Sequence, residues 1–579
     1  MDEIGDLAAR WGIETGYFDI QGQWQEPKPE TIRRIAEALS EGGQPTGAAH
    51  TQPEVRPAFQ GDGRRGWLIS VQLYAVRSRR NWGHGDFTDL AALIELAADV
   101  GATGIGLNPL HALFSDLPQQ ASPYGPNSRL FLNPLYIDVA ALPEFSAEIA
   151  LDADIEKLRS TGMVDYAGVA RAKLAALRRA YDEFRRAATA ERKTDFEQFR
   201  AERGRTLARF AAFETLRGRF PTTWREWPEP WRKPGDRAVQ ELRTSEPDAF
   251  GFHEFLQWVA DRQLKACRDL ARHRGMAVGL YIDLAVGVDP AGADAWMDQE
   301  VMLTGLSVGA PPDALNTAGQ SWGLTTYNPH SLVARSFEPL REMLRAAMRY
   351  AGAVRLDHVL GLMHIYVVPQ GSSARDGAYL RFPFLSMLDV IADESRRHQC
   401  TVIGEDLGTV PEGLRDTLAA WGVWSYLVVL FEREWGGAFK HPSRYAVNAL
   451  ATFNTHDLPT FTGWLSGHDL AVKRGIGLDP GETDQDRENT RLAWRAAASA
   501  VIEPSFDHVA EFLAATPARL VAVQLEDILD VRDQINVPGT VMEHPNWRRR
   551  LPAAIEDLRN DQRLVRIAAA FSRAGRGST

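Results

Sequence analysis

The sequence predicts an α/β protein: a (β/α)8, or TIM, barrel with helical insertions and a small N-terminal helical extension. Three stretches carry that expectation. Ala353-Val-Arg-Leu-Asp-His-Val-Leu-Gly361 reads as a short apolar strand giving way to a loop at the charged cluster Arg355, Asp357 and His358. Thr401-Val-Ile-Gly-Glu-Asp406 is a second apolar strand, ending in Glu405 and Asp406. Ala451-Thr-Phe-Asn-Thr-His-Asp457 is a third, ending in His456 and Asp457. Strands about 50 residues apart, each ending in acids and separated by helical segments, are expected of successive parts of a β/α barrel. In such barrels the C-terminal strand ends build the active site.

The elements follow in chain order. Residues 1–63 read as a small helical extension and linker, with helices over Asp2–Trp11 and Pro29–Ser40 and a Gly/Pro/Gln-rich linker from Glu41 to Gly63. The catalytic barrel is expected over 64–579. Its first strand is Trp67–Tyr74, followed by the Gly-rich turn Asn81-Trp-Gly-His-Gly-Asp86, whose Asp86 is placed to cap a helix over Phe87–Val100. Gly104–Pro109 is the second strand, and Ser122–Ser128 is a polar loop that carries Tyr124. A helical insertion is expected over about 143–250, since helix formers and charge dominate Tyr166–Arg192 and Thr194–Leu216. Trp224, Trp227 and Trp231 follow among prolines, either as a binding patch or as packing of the insertion on the barrel. The helix Phe252–Arg274 leads to the strand Ala277–Asp283. Gly309–Gly323 is too rich in Pro and Gly for a regular element and is expected as an ordered loop. Its Asp313, Asn316, Gln320 and Trp322 supply hydrogen-bonding groups and a stacking surface, a combination suited to sugars. Further helices are expected over Phe337–Ala351, Phe384–His398 and Thr483–Val501, with strands at Tyr426–Glu432 and Arg519–Leu525.

Composition narrows the function. The chain has 579 residues, 44% hydrophobic and 24% charged, as an ordinary globular protein does. Its net charge of −11 argues against nucleic acid as the main partner. Two cysteines, Cys267 and Cys400, have no metal-ligand spacing and do not make a disulfide framework, so a reducing compartment is expected. The acidic start lacks the regions of a signal peptide, and no apolar run is long enough to span a bilayer. A cytoplasmic protein without membrane or nucleic-acid partners is expected.

The strand-end acids point to chemistry. Paired carboxylates flanking a bond are what glycoside cleavage needs. Asp357, beside Arg355, is expected to stay ionised because the neighbouring cation lowers its pKa, which suits a nucleophile. An ordinary structural ion pair is the competing reading of that stretch alone.

The full set of motifs resembles a known family. Asn81-Trp-Gly-His-Gly-Asp-Phe87, Ser122-Pro-Tyr124, Gly309-Ala-Pro-Pro-Asp313 and Gly319-Gln-Ser-Trp-Gly323 come first. Arg355-Leu-Asp-His358, Gly404-Glu-Asp-Leu-Gly408, Thr455-His-Asp457, Asn536-Val-Pro-Gly-Thr540 and Pro545-Asn-Trp547 follow in order. Together they resemble the 4-α-glucanotransferases (amylomaltases, or disproportionating enzymes), family 77 of the glycoside hydrolases, in their bacterial maltodextrin-processing branch. The resemblance implies Asp357 as nucleophile, Glu405 as acid/base and Asp457 as transition-state stabiliser. Arg355 would hold Asp357 ionised, His456 would bond the sugar at the cleavage subsite, and Tyr124 would stack beneath it. Asp313, Gln320 and Trp322 would contact the glucan from a covering loop over about 309–323, with His358 and Asp283 completing the sugar-binding set. Asp283 continues Leu-Ala-Val-Gly, without the Asn and His of calcium-binding α-amylases, so no metal is implied, and no cofactor. The implied partners are α-1,4-glucan or maltodextrin donors and acceptors and glucose, for a monomer or weak homo-oligomer. Glu405 must then be protonated near neutral pH, with Asp406 either raising its pKa or serving as a structural acid. An α-1,4-glucan hydrolase of the same clan needs the same three acids and stays open as an alternative. An inactive glucan-binding protein is the other, although it predicts loss of an acid, and all three are present.

Overall fold

The computed structural model describes residues 3–19, 22–45, 53–146, 154–312, 319–408, 410–500 and 503–577. Eight parallel strands close a barrel, numbered here in chain order: β1 (Gly66–Val71), β2 (Gly104–Leu107), β3 (Gly279–Leu284), β4 (Ala353–Leu356), β5 (Thr401–Gly404), β6 (Trp424–Val428), β7 (Ala449–Thr452) and β8 (Leu520–Gln524). Each pairs with the next, and β8 closes on β1 with Val521 opposite Trp67. Leu68, Tyr281, Ala353, Ile403, Tyr426, Leu450 and Leu520 pack together inside it. Side chains alternate along a strand. The inward positions two residues beyond Tyr281, Ala353 and Ile403 are therefore Asp283, Arg355 and Glu405, with Asp357 two further on.

Several strand ends differ from the sequence expectation. The first strand stops at Val71 because the Asn108 side chain takes the Leu73 N–H at 2.8 Å, and Leu73–Ala75 is a 3-10 turn. The strand expected over Tyr426–Glu432 runs instead from Trp424 to Val428 and also ends in a 3-10 turn. Asp86 caps the helix Phe87–Asp99: it accepts from the Thr88 and Asp89 N–H groups, and Asp89 accepts from the Asp86 N–H.

Between β2 and β3 the chain forms helices Ile155–Ser160, Tyr166–Ala187, Ala190–Arg219, Asp236–Ser245 and Pro247–His273. Phe184, Phe196, Phe255 and Trp258 join them through ring centroids 5.2–5.8 Å apart. Trp227 is fully buried against Phe213 and Trp296, and Trp224 is buried too, so these two indoles pack the insertion. A binding patch is not available from them.

The stretch expected as one irregular loop is regular at both ends. Leu306–Ala310 and Gln320–Leu324 pair antiparallel, and with His364–Pro369 and Ala378–Arg381 they build a four-stranded sheet. Gly309 permits the close approach, since a Cβ there would lie 2.0 Å from the Gln320 carbonyl oxygen. Residues 313–318, with Asp313 and Asn316, lie outside the described residues.

The N-terminal helix Pro29–Ser40 packs against the turn that follows His364–Pro369, where Arg34 donates to the Ser372 hydroxyl at 2.7 Å and to the Gln370 carbonyl at 2.6 Å, and the helix Glu3–Trp11 packs on Pro29–Ser40. The Arg381 N–H donates to Gly12 and the Glu14 N–H to Tyr379, so the connecting chain extends the Ala378–Arg381 edge of the sheet. A small Tyr17–Phe18/Trp24–Gln25 hairpin is also present, unanticipated from sequence. The described end of the expected linker is packed: the Ala58 N–H donates to Trp421, and the Gln60 amide joins Gly422 to the Trp424 indole. Among the described residues, no helix is long and apolar enough to cross a membrane.

Candidate active site

The strand ends converge on one guanidinium. Arg355 Nη1 donates to Asp283 Oδ1 at 2.8 Å, to Asp283 Oδ2 at 3.1 Å and to Asp357 Oδ1 at 2.9 Å. Its Nη2 lies 3.9 Å from Glu405 Oε2, and the group sits 5.2 Å from the centre of the Tyr426 ring. Pairs on adjacent parallel strands bring this about: Arg355 is opposite Asp283 on β3 and Ile403 on β5, so Glu405 lies one strand over from Asp357.

Burial changes the acid–base balance from the local expectation. It pushes the Asp357 carboxyl up; Arg355 opposes it, while Asp283 and Glu405 add to the rise, and the result is about 6. The arginine does not hold Asp357 below the ordinary range, although at neutral pH the carboxylate still predominates. Glu405 is also raised, by burial, with Asp406 adding to the effect. Arg355 and two backbone N–H groups oppose it: Leu407 donates to Oε1 at 2.8 Å and His358 to Oε2 at 2.9 Å. Asp406 fills both of the roles considered for it, since its own carboxylate accepts from Arg415 at 2.7 Å.

His358 adopts φ +49°, a left-handed conformation costly for a non-glycine residue. That turn aims its N–H at Glu405. Its ring meets Trp322 edge-on at 5.4 Å, and the Trp322 indole N–H donates to Gln320 at 3.1 Å. The hairpin of Leu306–Ala310 and Gln320–Leu324 thus reaches the turn beside Asp357.

A second cluster lies across the barrel mouth. The Tyr124 hydroxyl donates to Asp283 Oδ2 and lies 3.2 Å from His456 Nδ1, with the two rings stacked at 4.6 Å. His456 Nε2 is 3.3 Å from Asp457 Oδ2, and Asn536 Nδ2 donates to Asp457 Oδ1 at 2.6 Å. Burial lowers the His456 pKa, but Asp457 outweighs it and the net shift is upward. Burial raises Asp457, but His456 and Asn536 outweigh it and the net shift is downward. Protonated His456 donates from both nitrogens, to Tyr124 and to Asp457.

One hydrogen-bonded network therefore joins Asp357, Arg355, Asp283, Tyr124, His456 and Asp457. Both Asp283 oxygens are engaged by Arg355 and Tyr124, so Asp283 orients those two groups. The position between Asp283 and Asp357 is filled by the Arg355 guanidinium, and among the described residues no group of three or more His, Cys, Asp or Glu is placed to hold a metal. Two members escaped the residue-by-residue reading of the sequence. Asn536 bonds Asp457, and the Trp547 ring lies 5.4 Å from Tyr124 and 5.3 Å from His456. Both stand in stretches that belong to the family motifs, Asn536–Thr540 and Pro545–Trp547, but neither residue carried a role there.

Asn536→Ala is expected to shift the Asp457 carboxyl back upward, since it removes one of the groups that lower its pKa. An NMR titration of that carboxyl would measure it.

Comparisons with known proteins bear on this arrangement. A family model described as 4-alpha-glucanotransferase matches residues 71–556. The 4-alpha-glucanotransferase of Mycobacterium tuberculosis is 36% identical over 550 residues, covering 88% of this chain and 75% of the relative. That of Haemophilus influenzae is 34% identical over 544 residues, covering 87% and 78%. The amylomaltase structure from Corynebacterium glutamicum superposes with a TM-score of 0.85 at 27% identity, covering 98% of this chain and 99% of that one. A Streptococcus agalactiae amylomaltase in complex with acarbose shares the fold, with a TM-score of 0.74 at 19% identity over 89% of this chain and all of that one.

Proposed function

The chain belongs to the 4-alpha-glucanotransferase family, family 77 of the glycoside hydrolases, and from that membership we propose a retaining double displacement on α-1,4-glucans with Asp357 as nucleophile, Glu405 as acid/base and Asp457 as transition-state stabiliser. The protein is an enzyme of this type. The observation that carries the assignment is that two carboxylates at adjacent strand ends reach the same guanidinium, Asp357 at 2.9 Å and Glu405 at 3.9 Å.

Arg355 occupies Asp357 Oδ1 and leaves Oδ2 for the anomeric carbon. Glu405 gives its proton to the glycosidic oxygen, and the leaving glucan departs with a free 4-hydroxyl. The donor segment stays on Asp357 as an ester. An acceptor glucan then offers its 4-hydroxyl, Glu405 takes that proton, and the new bond to the anomeric carbon releases Asp357. Two inversions restore the α linkage. Asp457 accepts from hydroxyls of the reacting sugar, His456 holds Asp457 and Tyr124 in place for it, and the Tyr124 ring forms the platform beneath.

Transfer outruns hydrolysis when water is kept from the ester. The hairpin bearing Gln320 and Trp322 serves that exclusion in this reading. Gly309→Ala must splay the hairpin, because its Cβ would meet the Gln320 carbonyl. Its expected effect is a larger hydrolytic share, read as new reducing ends per transfer event.

The overall reading is tested with maltotriose as sole substrate. Glucose together with products longer than maltotriose is the expected pattern. Shorter products alone, with reducing ends rising, would identify a hydrolase and overturn the transfer mechanism.

A further inference from the structure

The proposed chemistry leaves two features of the chain without a role: the helical insertion and the Asn81–Asp86 motif. Both lead to Trp547. This residue is buried and adopts φ +60°, a left-handed backbone that a bulky side chain holds only when its surroundings over-determine it. The surroundings come from the insertion. Tyr166, the first residue of its Tyr166–Ala187 helix, donates its hydroxyl to the Trp547 carbonyl at 2.7 Å. The Val164 N–H donates to Arg548, and the Arg550 N–H donates to Gly162, so the stem of the insertion is laced to the residues after Trp547. His84 of the Gly-rich motif meets the Tyr166 ring edge-on at 5.7 Å.

What Trp547 touches is the catalytic mouth. Its indole lies against both rings of the Tyr124–His456 stack. The plane of His456 decides whether Nδ1 meets Tyr124 and Nε2 meets Asp457 at the same time. A ring free to rotate loses both partners together. We propose that Trp547 is a positioning residue that locks the His456 ring plane, and that Tyr166 is the bond through which the helical insertion holds Trp547 in place. This rests on the catalytic reading above only for its effect on rate; the orientation of His456 is readable without turnover.

The test uses the full-length protein with Trp547→Phe, Trp547→Leu and Tyr166→Phe, each checked for folding by thermal unfolding. Two quantities are read: kcat and KM on maltotriose, and the His456 titration followed by its imidazole NMR signals. Asp457, Arg355 and Asp283 are the charged groups that set that titration. The expected result is a kcat lower by about tenfold in Tyr166→Phe and by about a hundredfold in Trp547→Leu, with KM within about twofold, the pattern of a displaced catalytic group. The His456 pKa should fall in both as the Asp457 contact loosens, and Trp547→Phe should restore part of each loss. A purely structural role would lower thermal stability and leave the His456 titration and the rate per folded molecule as in the wild type; that outcome overturns the inference. Should Trp547→Leu fail to fold, Tyr166→Phe, which removes one hydroxyl, decides alone. Asp357→Asn separates the two readings. Activity surviving in it would sink the catalytic assignment, while an unmoved His456 titration would sink only the role of Trp547.

Discussion

Maltotriose incubated with the Asp357→Asn variant is expected to give neither glucose nor longer oligosaccharides, with kcat down by at least ~10⁴, the order that follows loss of a nucleophile. The fold should survive. The amide oxygen of an asparagine can still accept from Arg355, and Asp283 continues to satisfy the same guanidinium. Loss of turnover with an unchanged unfolding transition therefore isolates the chemistry from stability. No glycosyl ester would form, so mass spectrometry of protein quenched with an activated α-glucosyl fluoride should show the sugar adduct on the wild type alone. An adduct on Asp357→Asn would move the nucleophile to another carboxylate.

Glu405→Gln carries the second large effect. Its rate on maltotriose should fall by about 10²–10⁴, the contribution of a positioned proton donor. An α-glucosyl fluoride leaves without protonation, so the first displacement on that substrate should be largely spared. Equal losses on both substrates would remove the acid role. The pH profile supplies the sign. Asp357 must be ionised, so kcat/KM should rise as pH climbs through about 6, where burial has placed its carboxyl. Glu405 must be protonated, and its pKa is raised, so kcat/KM should fall again at higher pH as that proton is lost. With the fluoride, Glu405→Gln should keep the rising limb and lose the falling one.

Much of this site is legible in linear sequence because a barrel turns strand ends into neighbours. Arg355, Asp357, Glu405 and Asp457 each follow a short apolar run, and the two-residue period of a strand settles which side chains enter the mouth. The sign of the Asp357 shift is not legible that way. The adjacent arginine is visible in sequence, but the burial that outweighs it comes from the whole closed barrel and the sheet above it. Gly309–Gly323 hides its strands for a related reason. Each half is short and glycine-bearing, and it becomes a strand only by pairing with the other and with His364–Pro369. Asn536 and Trp547 stay hidden because they act across the fold, one on Asp457 and the other through the insertion stem. No local spacing marks a residue whose partner lies 79 positions away, as Asp457 does from Asn536, or 381, as Tyr166 does from Trp547.

The seam between β1 and β8 has a consequence for how the protein is made. Strand β1 is among the first barrel elements to leave the ribosome, yet its partner β8 follows roughly 450 residues later. At ~5–20 residues per second, that is roughly 20 to 90 seconds of synthesis. Throughout that interval Gly66–Val71 presents an unpaired, apolar sheet edge, the kind of surface on which nascent chains pair with one another. Closure of the barrel is thus a late event in biogenesis, and a pulse-chase with limited proteolysis should find β1 protected only after β8 has emerged.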